Sequence, residues 1–170
     1  MIYTLTTNPA IDMNIKLDSK MQAKVVNRCS KTIYSPNGKG INVTLVLKHY
    51  NIESKVLGFF GGFSGRFILE NLEKRDIKVI PVNVEENTRI NIFLNNSNNE
   101  YKILTNGSYI KRNKQEEMLR IIDNLQDVEY LCISGSLPPG IDAIFYDEIL
   151  KLCQKKNVKV ILDISSNKLK

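Results

Sequence analysis

The chain has 170 residues, 42% of them hydrophobic and 25% charged, with a formal net charge of +6. That balance excludes intrinsic disorder, and no run approaches the ~20 consecutive apolar residues of a membrane-spanning helix. Cys29, Cys132 and Cys153 are odd in number and lack C-x-x-C spacing, so neither a disulfide framework nor a zinc site is expected.

Short β-branched runs alternate with longer amphipathic ones, the pattern of an α/β fold with a mostly parallel sheet. The N-terminus, MIYTLTTNPAIDMN, has no basic region followed by an apolar stretch, so a cytoplasmic protein is expected. Ile2 to Thr6 is the first strand. Asp12 to Leu17 and Val25 to Tyr34 alternate with polar faces and read as half-exposed strands. Ile41 to Tyr50 reads as a helix with Asn51 as a left-handed C-cap. Lys55 to Phe59 is a buried strand, followed by a turn over Gly61 to Gly65, a helix over Arg66 to Arg75 and a strand at Val79 to Val82.

Arg89 to Asn95 and Tyr101 to Thr105 flank an Asn/Ser-rich turn, Asn95 to Asn99, which signals a hairpin. Helix Lys114 to Leu125, strand Tyr130 to Ser134, helix Asp142 to Lys156 and strand Val158 to Ile164 complete the chain. The four polar-faced strands (12–17, 25–34, 89–95 and 101–105) do not suit a parallel sheet covered on both faces. They are expected to form a separate small sheet, a lid over the carboxyl ends of the main strands, where ligands lie in open α/β folds.

Residues 151–170 carry six lysines, two of them Lys168 and Lys170, against Asp163, and so hold most of the net charge. No basic stripe interleaved with aromatics exists, so neither nucleic acid nor membrane is expected as a partner. His49 is the only histidine and sits near the end of a helical pattern, which disfavours a Ser-His-Asp hydrolase.

Several segments could carry chemistry. Ser35-Pro36-Asn37-Gly38-Lys39-Gly40-Ile41-Asn42 joins a strand to a helix whose free N–H groups would favour an anion, although a plain glycine turn explains it equally well. It is not a Walker A loop, because Gly40 follows Lys39. The glycines at 58, 61, 62 and 65 do not give G-x-G-x-x-G, and tight helix–strand packing accounts for them. Asp12 and Arg89 lie at the ends of lid strands, where a carboxylate can accept sugar hydroxyls and a guanidinium can fork onto a phosphate. Ser134 to Gly140, S-G-S-L-P-P-G, follows a buried strand and could present hydroxyls, or be a loop stiffened by prolines.

Taken together, N-P-A-I-D (8–12), G-K-G-I-N (38–42), G-F-F-G-G-F-S-G-R-F (58–67), T-R-I-N (88–91), S-G-S-L-P-P-G (134–140) and V-I-L-D (160–163) occur in the order found in PfkB (ribokinase-like) carbohydrate kinases. The chain resembles that family over essentially its whole length, nearest to the 1-phosphofructokinase and tagatose-6-phosphate kinase branch. The resemblance implies a Rossmann-like α/β domain with a β-sheet lid, and transfer of the γ-phosphoryl of ATP, with Mg2+, to a ketohexose phosphate. Fructose 1-phosphate is the expected acceptor. A tagatose-6-phosphate kinase or a non-catalytic sugar-phosphate-binding remnant are the alternatives.

By the same resemblance Asp12 would hold sugar hydroxyls, Gly38 and Asn42 would line the sugar, and Lys39 and Arg89 would neutralise the phosphate already on the substrate. Asn91 and Ser136 are further candidates. Arg28 would reach the phosphate of the same or a neighbouring subunit, because such lids often pair into a homodimer. Phosphoryl transfer depends on positioning and charge stabilisation, which suits this residue set.

There are departures from the family pattern. Asn37 replaces the first glycine of G-G-K-G, which a positive φ at Asn would tolerate. Lys102 to Asn106 lacks an acidic residue often found there. No G-A-G-D motif, with its catalytic Asp, occurs, nor K-P-N-x-x-E. The resemblance therefore implies that residues 1–170 are the N-terminal, sugar-binding portion of one ribokinase-like domain, from a truncated or interrupted reading frame. No catalytic residue lies in it, and the isolated chain is expected to be inactive.

Overall fold

The computed structural model describes residues 1–96 and 99–165. In chain order the elements are β1 (Ile2–Thr6), β2 (Ala10–Leu17), β3 (Cys29–Asn37), α1 (Lys39–His49), β4 (Ser54–Gly61), α2 (Gly62–Glu73) and β5 (Lys78–Val84). They continue with β6 (Arg89–Asn95), β7 (Glu100–Ile103), α3 (Arg112–Asn124), β8 (Tyr130–Ser136), α4 (Ala143–Lys155) and β9 (Lys159–Ser165).

Alternation along β1 sorts two helical layers. Tyr3 and Leu5 join Leu57, Phe59, Met118, Ile133, Phe145 and Ile149 in the core beneath α3 and α4. Thr4 and Thr6 face α1 instead. The Thr4 and Thr44 hydroxyls share a 2.8 Å hydrogen bond, and Thr6 Oγ1 accepts from the Ile41 N–H at 3.0 Å. On that side Ile41, Val56, Phe60, Ile68 and Leu72 form a second core under α1 and α2. Buried hydroxyls on a central strand are tolerable because each finds a partner.

All pairings within the main sheet are parallel, in the order β5-β4-β1-β8-β9. The chain moves outward from β1 through β4 to β5, then returns to place β8 on the other side of β1. The carboxyl ends of β1 and β8 therefore flank the point where strand order reverses, the usual crevice for a ligand in such sheets.

A second, mixed sheet has the order β3-β2-β6-β7. It springs from the carboxyl ends of the main strands: β2 begins four residues after β1, and β6 five after β5. The separate four-stranded lid sheet expected from the sequence is thus present.

Some boundaries differ from expectation. The second lid strand covers Cys29–Asn37 rather than 25–34. Pro36 does not break it, because β3 is an edge strand and needs no ladder donor on its outer side. The glycines at 61 to 65 are not a turn: β4 ends at Gly61 and α2 begins at Gly62. They are demanded by packing, since a Cβ at Gly65 would lie 3.1 Å from the backbone of Phe60 and from Thr88 Oγ1. β7 ends at Ile103, short of the expected Thr105. Of the hairpin turn, Ser97 and Asn98 lie outside the described residues, as do Lys168 and Lys170. Asn51 does adopt the left-handed conformation after α1, with φ +57°.

Candidate functional site

The strand–loop–helix junction at residues 37–42 is built on close backbone approach. Gly38 has φ +154°, and a Cβ there would lie 2.6 Å from Thr6 Cγ2. At Gly40 a Cβ would meet Thr6 Oγ1 at 2.5 Å and the Leu5 carbonyl oxygen at 3.0 Å. These glycines let the first turn of α1, which carries Lys39 and Asn42, press against the carboxyl end of β1.

Register in the lid sheet then gathers the other candidates. Ala10 of β2 stands opposite Arg89 of β6 and Asn37 of β3, while Asp12 stands opposite Asn91 and Ser35. Residues two apart on a strand share a face, and direct partners share it too. Asp12, Asn37, Arg89 and Asn91 therefore lie on one face of the lid.

The carboxylate of Asp12 is held between two amides. Asn91 Nδ2 donates to Oδ1 at 2.9 Å, and Asn37 Nδ2 donates to Oδ2 in a short hydrogen bond. Asn37 Oδ1 accepts in turn from the Gly38 N–H at 2.7 Å and from Asn42 Nδ2 at 2.8 Å. Asn91 is buried, and its Oδ1 has no hydrogen-bond partner. Asn37 does not use a positive φ, contrary to expectation; it ends β3 in extended conformation.

Arg89 is half-buried. Its Nη2 donates to the Asn8 carbonyl at 3.1 Å, and its Nη1 to the Thr105 carbonyl at 3.5 Å. Nε is buried without a partner. Burial lowers the guanidinium's proton affinity, opposed by the nearby Asp12 carboxylate, though Arg89 stays charged at any physiological pH. A cleft of about 680 Å³ opens beside it, lined by Asn8, Arg89, Thr105, Gly107, Ser136 and Pro138 among others. Ser136 ends β8 at the reversal point, its Oγ accepting from Asn8 Nδ2 at 3.1 Å.

Lys39 Nζ lies 3.3 Å from Asp163 Oδ2 on β9, an exposed pair in which both side chains are about half accessible or more. Such an exposed pair contributes little to stability. Arg28 stands apart from the others. Strand rise puts Cys29 roughly 20 Å from Ser35, the partner of Asp12, and Arg28 lies one residue beyond.

Two residues escaped the sequence reading. Asn8 both holds Arg89 through its carbonyl and lines the cleft; it stood within N-P-A-I-D, but nothing local marked its role. Asn37 is the hub of the amide network, and its amide was hidden by the glycine it replaces. Among the described residues no three His, Cys, Asp or Glu side chains gather to hold a metal ion. No helix among the described residues is long and apolar enough to cross a membrane.

The pfkB family carbohydrate kinase profile matches residues 5–170. The chain is 48% identical over 165 residues to a D-tagatose-1-phosphate kinase of Klebsiella oxytoca, covering 97% of this chain and 54% of the relative. It is 34% identical over 169 residues to a 1-phosphofructokinase of Bacillus subtilis, covering 99% and 55%. Neither of these relatives is named for a 6-phosphate acceptor, so they lend the tagatose-6-phosphate alternative no support.

The phosphofructokinase-2 of Escherichia coli, crystallised with fructose-6-phosphate, superimposes with a TM-score of 0.90 at 25% identity, covering 99% of this chain and 56% of that one. A tetrameric inhibited form of that enzyme matches as well. The chain spans about half the length of the curated relatives it matches. Kinases of this kind are phosphotransferases that use ATP, generally with Mg2+. With the α/β sheet, the lid and the family profile in agreement, the chain belongs to the PfkB family of carbohydrate kinases.

Proposed function

We propose that this chain forms the sugar-phosphate-binding part of an ATP-dependent kinase whose acceptor is a ketohexose 1-phosphate, D-tagatose 1-phosphate ahead of fructose 1-phosphate. The observation that carries this is the alignment, on one lid face, of an amide-clamped carboxylate and a half-buried guanidinium beside a cleft at the strand-order reversal. The 48% identity to a tagatose-1-phosphate kinase favours the first acceptor.

In this reading Asp12 accepts hydrogen bonds from sugar hydroxyls through the lone pairs its two amides leave open. Asn42 and the Gly38 backbone line the sugar, and Asn91 and Ser136 complete its polar surround. Arg89 takes the existing phosphate in a charge-assisted fork, and Lys39 exchanges Asp163 for that phosphate. Arg28 serves a neighbouring subunit through paired lids; the exposed Ile33, on the same lid face as Asp12, supports such pairing. Transfer itself needs positioning and charge neutralisation, which these residues supply on the acceptor side.

Calorimetric titration of the chain with tagatose 1-phosphate, fructose 1-phosphate, their 6-phosphate isomers and inorganic phosphate tests the reading. Binding is expected for the two 1-phosphates, with no ATP consumption, because the chain contains no G-x-G-D segment. Equal heats from inorganic phosphate, or none from either 1-phosphate, would overturn it.

A further inference from the structure

Asn37 sits where three of the proposed sugar ligands meet. Its orientation is dictated by its neighbours. A carboxylate can only accept, so the edge facing Asp12 must be the amide NH2; the Gly38 N–H can only donate, so the opposite edge must be the carbonyl. The same carbonyl takes Asn42 Nδ2 at 2.8 Å, which fixes the Asn42 amide with its own oxygen turned away from Asn37. One side chain thereby sets the rotation of Asp12, the flip state of Asn42 and the availability of the Gly38 N–H.

The position allows this because Asn37 is the diagonal neighbour of Asp12 across the β2–β3 pair, two residues on from Ser35. Diagonal neighbours in an antiparallel pair stand about 7–8 Å apart, within the span of an Asn and an Asp side chain. A glycine at 37, as the family pattern has it, would leave Asp12 Oδ2 and Asn42 free to turn and would return the Gly38 N–H to the ligand.

We propose that Asn37 is a specificity-determining positioning residue of the sugar site, which locks Asp12 and Asn42 so that ketohexose 1-phosphates differing in one hydroxyl direction are distinguished. The proposal rests on the sugar-phosphate reading above. A carboxylate clamped at both oxygens presents its remaining lone pairs in fixed directions. A hydroxyl pointing elsewhere leaves buried polar groups unpaired, which is how such sites reject close analogues. A carboxylate free to rotate would follow either epimer.

The test compares the dissociation constants of D-tagatose 1-phosphate and fructose 1-phosphate for the unsubstituted chain, Asn37→Gly and Asn37→Ser, with unliganded melting temperatures as a check on folding. The unsubstituted chain is expected to separate the epimers at least tenfold, equivalent to about 1.4 kcal/mol. Both variants should fold and reduce that ratio at least fivefold. A ratio unchanged within twofold, a ratio near one in the unsubstituted chain, or equal weakening of both sugars would overturn the proposal. Unfolding of both variants would do so too, by making Asn37 a structural residue. Failure of the unsubstituted chain to bind either sugar would instead overturn the underlying reading, and the proposal with it.

Discussion

Replacing Arg89 by methionine separates what the guanidinium does for the fold from what it does for a ligand. In the unliganded chain the substitution removes the hydrogen bond to the Asn8 carbonyl at 3.1 Å, a contact from a charged donor that contributes about 1.5–3 kcal/mol, and a marginal one to the Thr105 carbonyl at 3.5 Å that adds little. It also removes the buried Nε, which has no partner and costs about 1–3 kcal/mol to leave dry. The two nearly cancel, so the unliganded stability should change by less than about 2 kcal/mol. Against a sugar phosphate nothing offsets the loss: deleting one partner of a desolvated charge pair costs about 2–5 kcal/mol, or at least ~30-fold in affinity.

Thermal unfolding reads both quantities. At a ligand concentration of 100 times its dissociation constant, the unsubstituted chain gains about 2.7 kcal/mol, whereas a variant binding 30-fold more weakly gains only about 0.9 kcal/mol at the same concentration. For a chain of this size those gains correspond to melting shifts of about 5–11 °C and below about 4 °C. A variant that keeps the full shift would refute the phosphate role. One that loses more than about 4 kcal/mol before any ligand is added would show that Arg89 holds the fold instead.

Two further substitutions probe what supports the site. At Gly61 a Cβ would collide with the Glu86 carbonyl and lie 2.6 Å from that of Val84, both backbone atoms, so Gly61→Ala should cost about 3 kcal/mol or more by urea unfolding. The Gly61 N–H also donates to Thr88 Oγ1, so sugar-phosphate binding through the adjacent Arg89 should weaken too; a cost under about 1 kcal/mol would contradict this packing. Burial raises the Tyr146 phenol above its ordinary 10.0, while its bond to the Thr7 hydroxyl works the other way. A raised value in the fold means that stability is intact below pH 10 and is lost as pH climbs from the unfolded value through the folded one. Tyr146→Phe should cost about 1 kcal/mol near neutrality and lose much of the alkaline slope, leaving the part due to the buried thiols of Cys132 and Cys153. Parallel alkaline slopes in the two proteins would exclude Tyr146 as the group responsible.

Elements whose residues face one environment along their length were legible in the sequence. β1 reads as a strand because both its faces are buried, and β2 and β6 read as half-exposed, whereas β7 and most of β3 are exposed along their length. What failed was set by partners distant in sequence. The glycines at 61 to 65 are rightly read as packing glycines, as Phe60 and Thr88 pressed against Gly65 show, but the turn expected over them is absent because β4 runs directly into α2. Ser35-Pro36-Asn37 looks like a loop until β3 proves to be an edge strand, where the missing Pro36 donor costs no ladder bond. Asn37 looks like a compromise with glycine because a sequence exposes backbone tolerance more readily than a side-chain amide whose main partner, Asp12, lies on the neighbouring strand 25 residues away. Arg28, grouped with the site by resemblance, is carried to the far end of the lid by the same register that unites the rest.

That register explains how such short and widely separated segments make one surface. In N-P-A-I-D only Ala10 and Asp12 face the site side of β2, and T-R-I-N contributes Arg89 and Asn91 directly beside them because β6 runs parallel in step. On the other flank β3 runs antiparallel, so its last residue, Asn37, comes level with Ala10, and the chain passes through Gly38 straight into α1. A slip of one residue in either pairing would turn the carboxylate, the guanidinium or the amides to the opposite face. Pairing between strands, unlike a loop, fixes lateral spacing to within a fraction of a residue step, and a hydroxyl-reading site needs that tolerance. The close glycine approach at the helix entry then serves registration: pressing α1 onto Thr6 brings Lys39 and Asn42 to the height that the lid face already occupies.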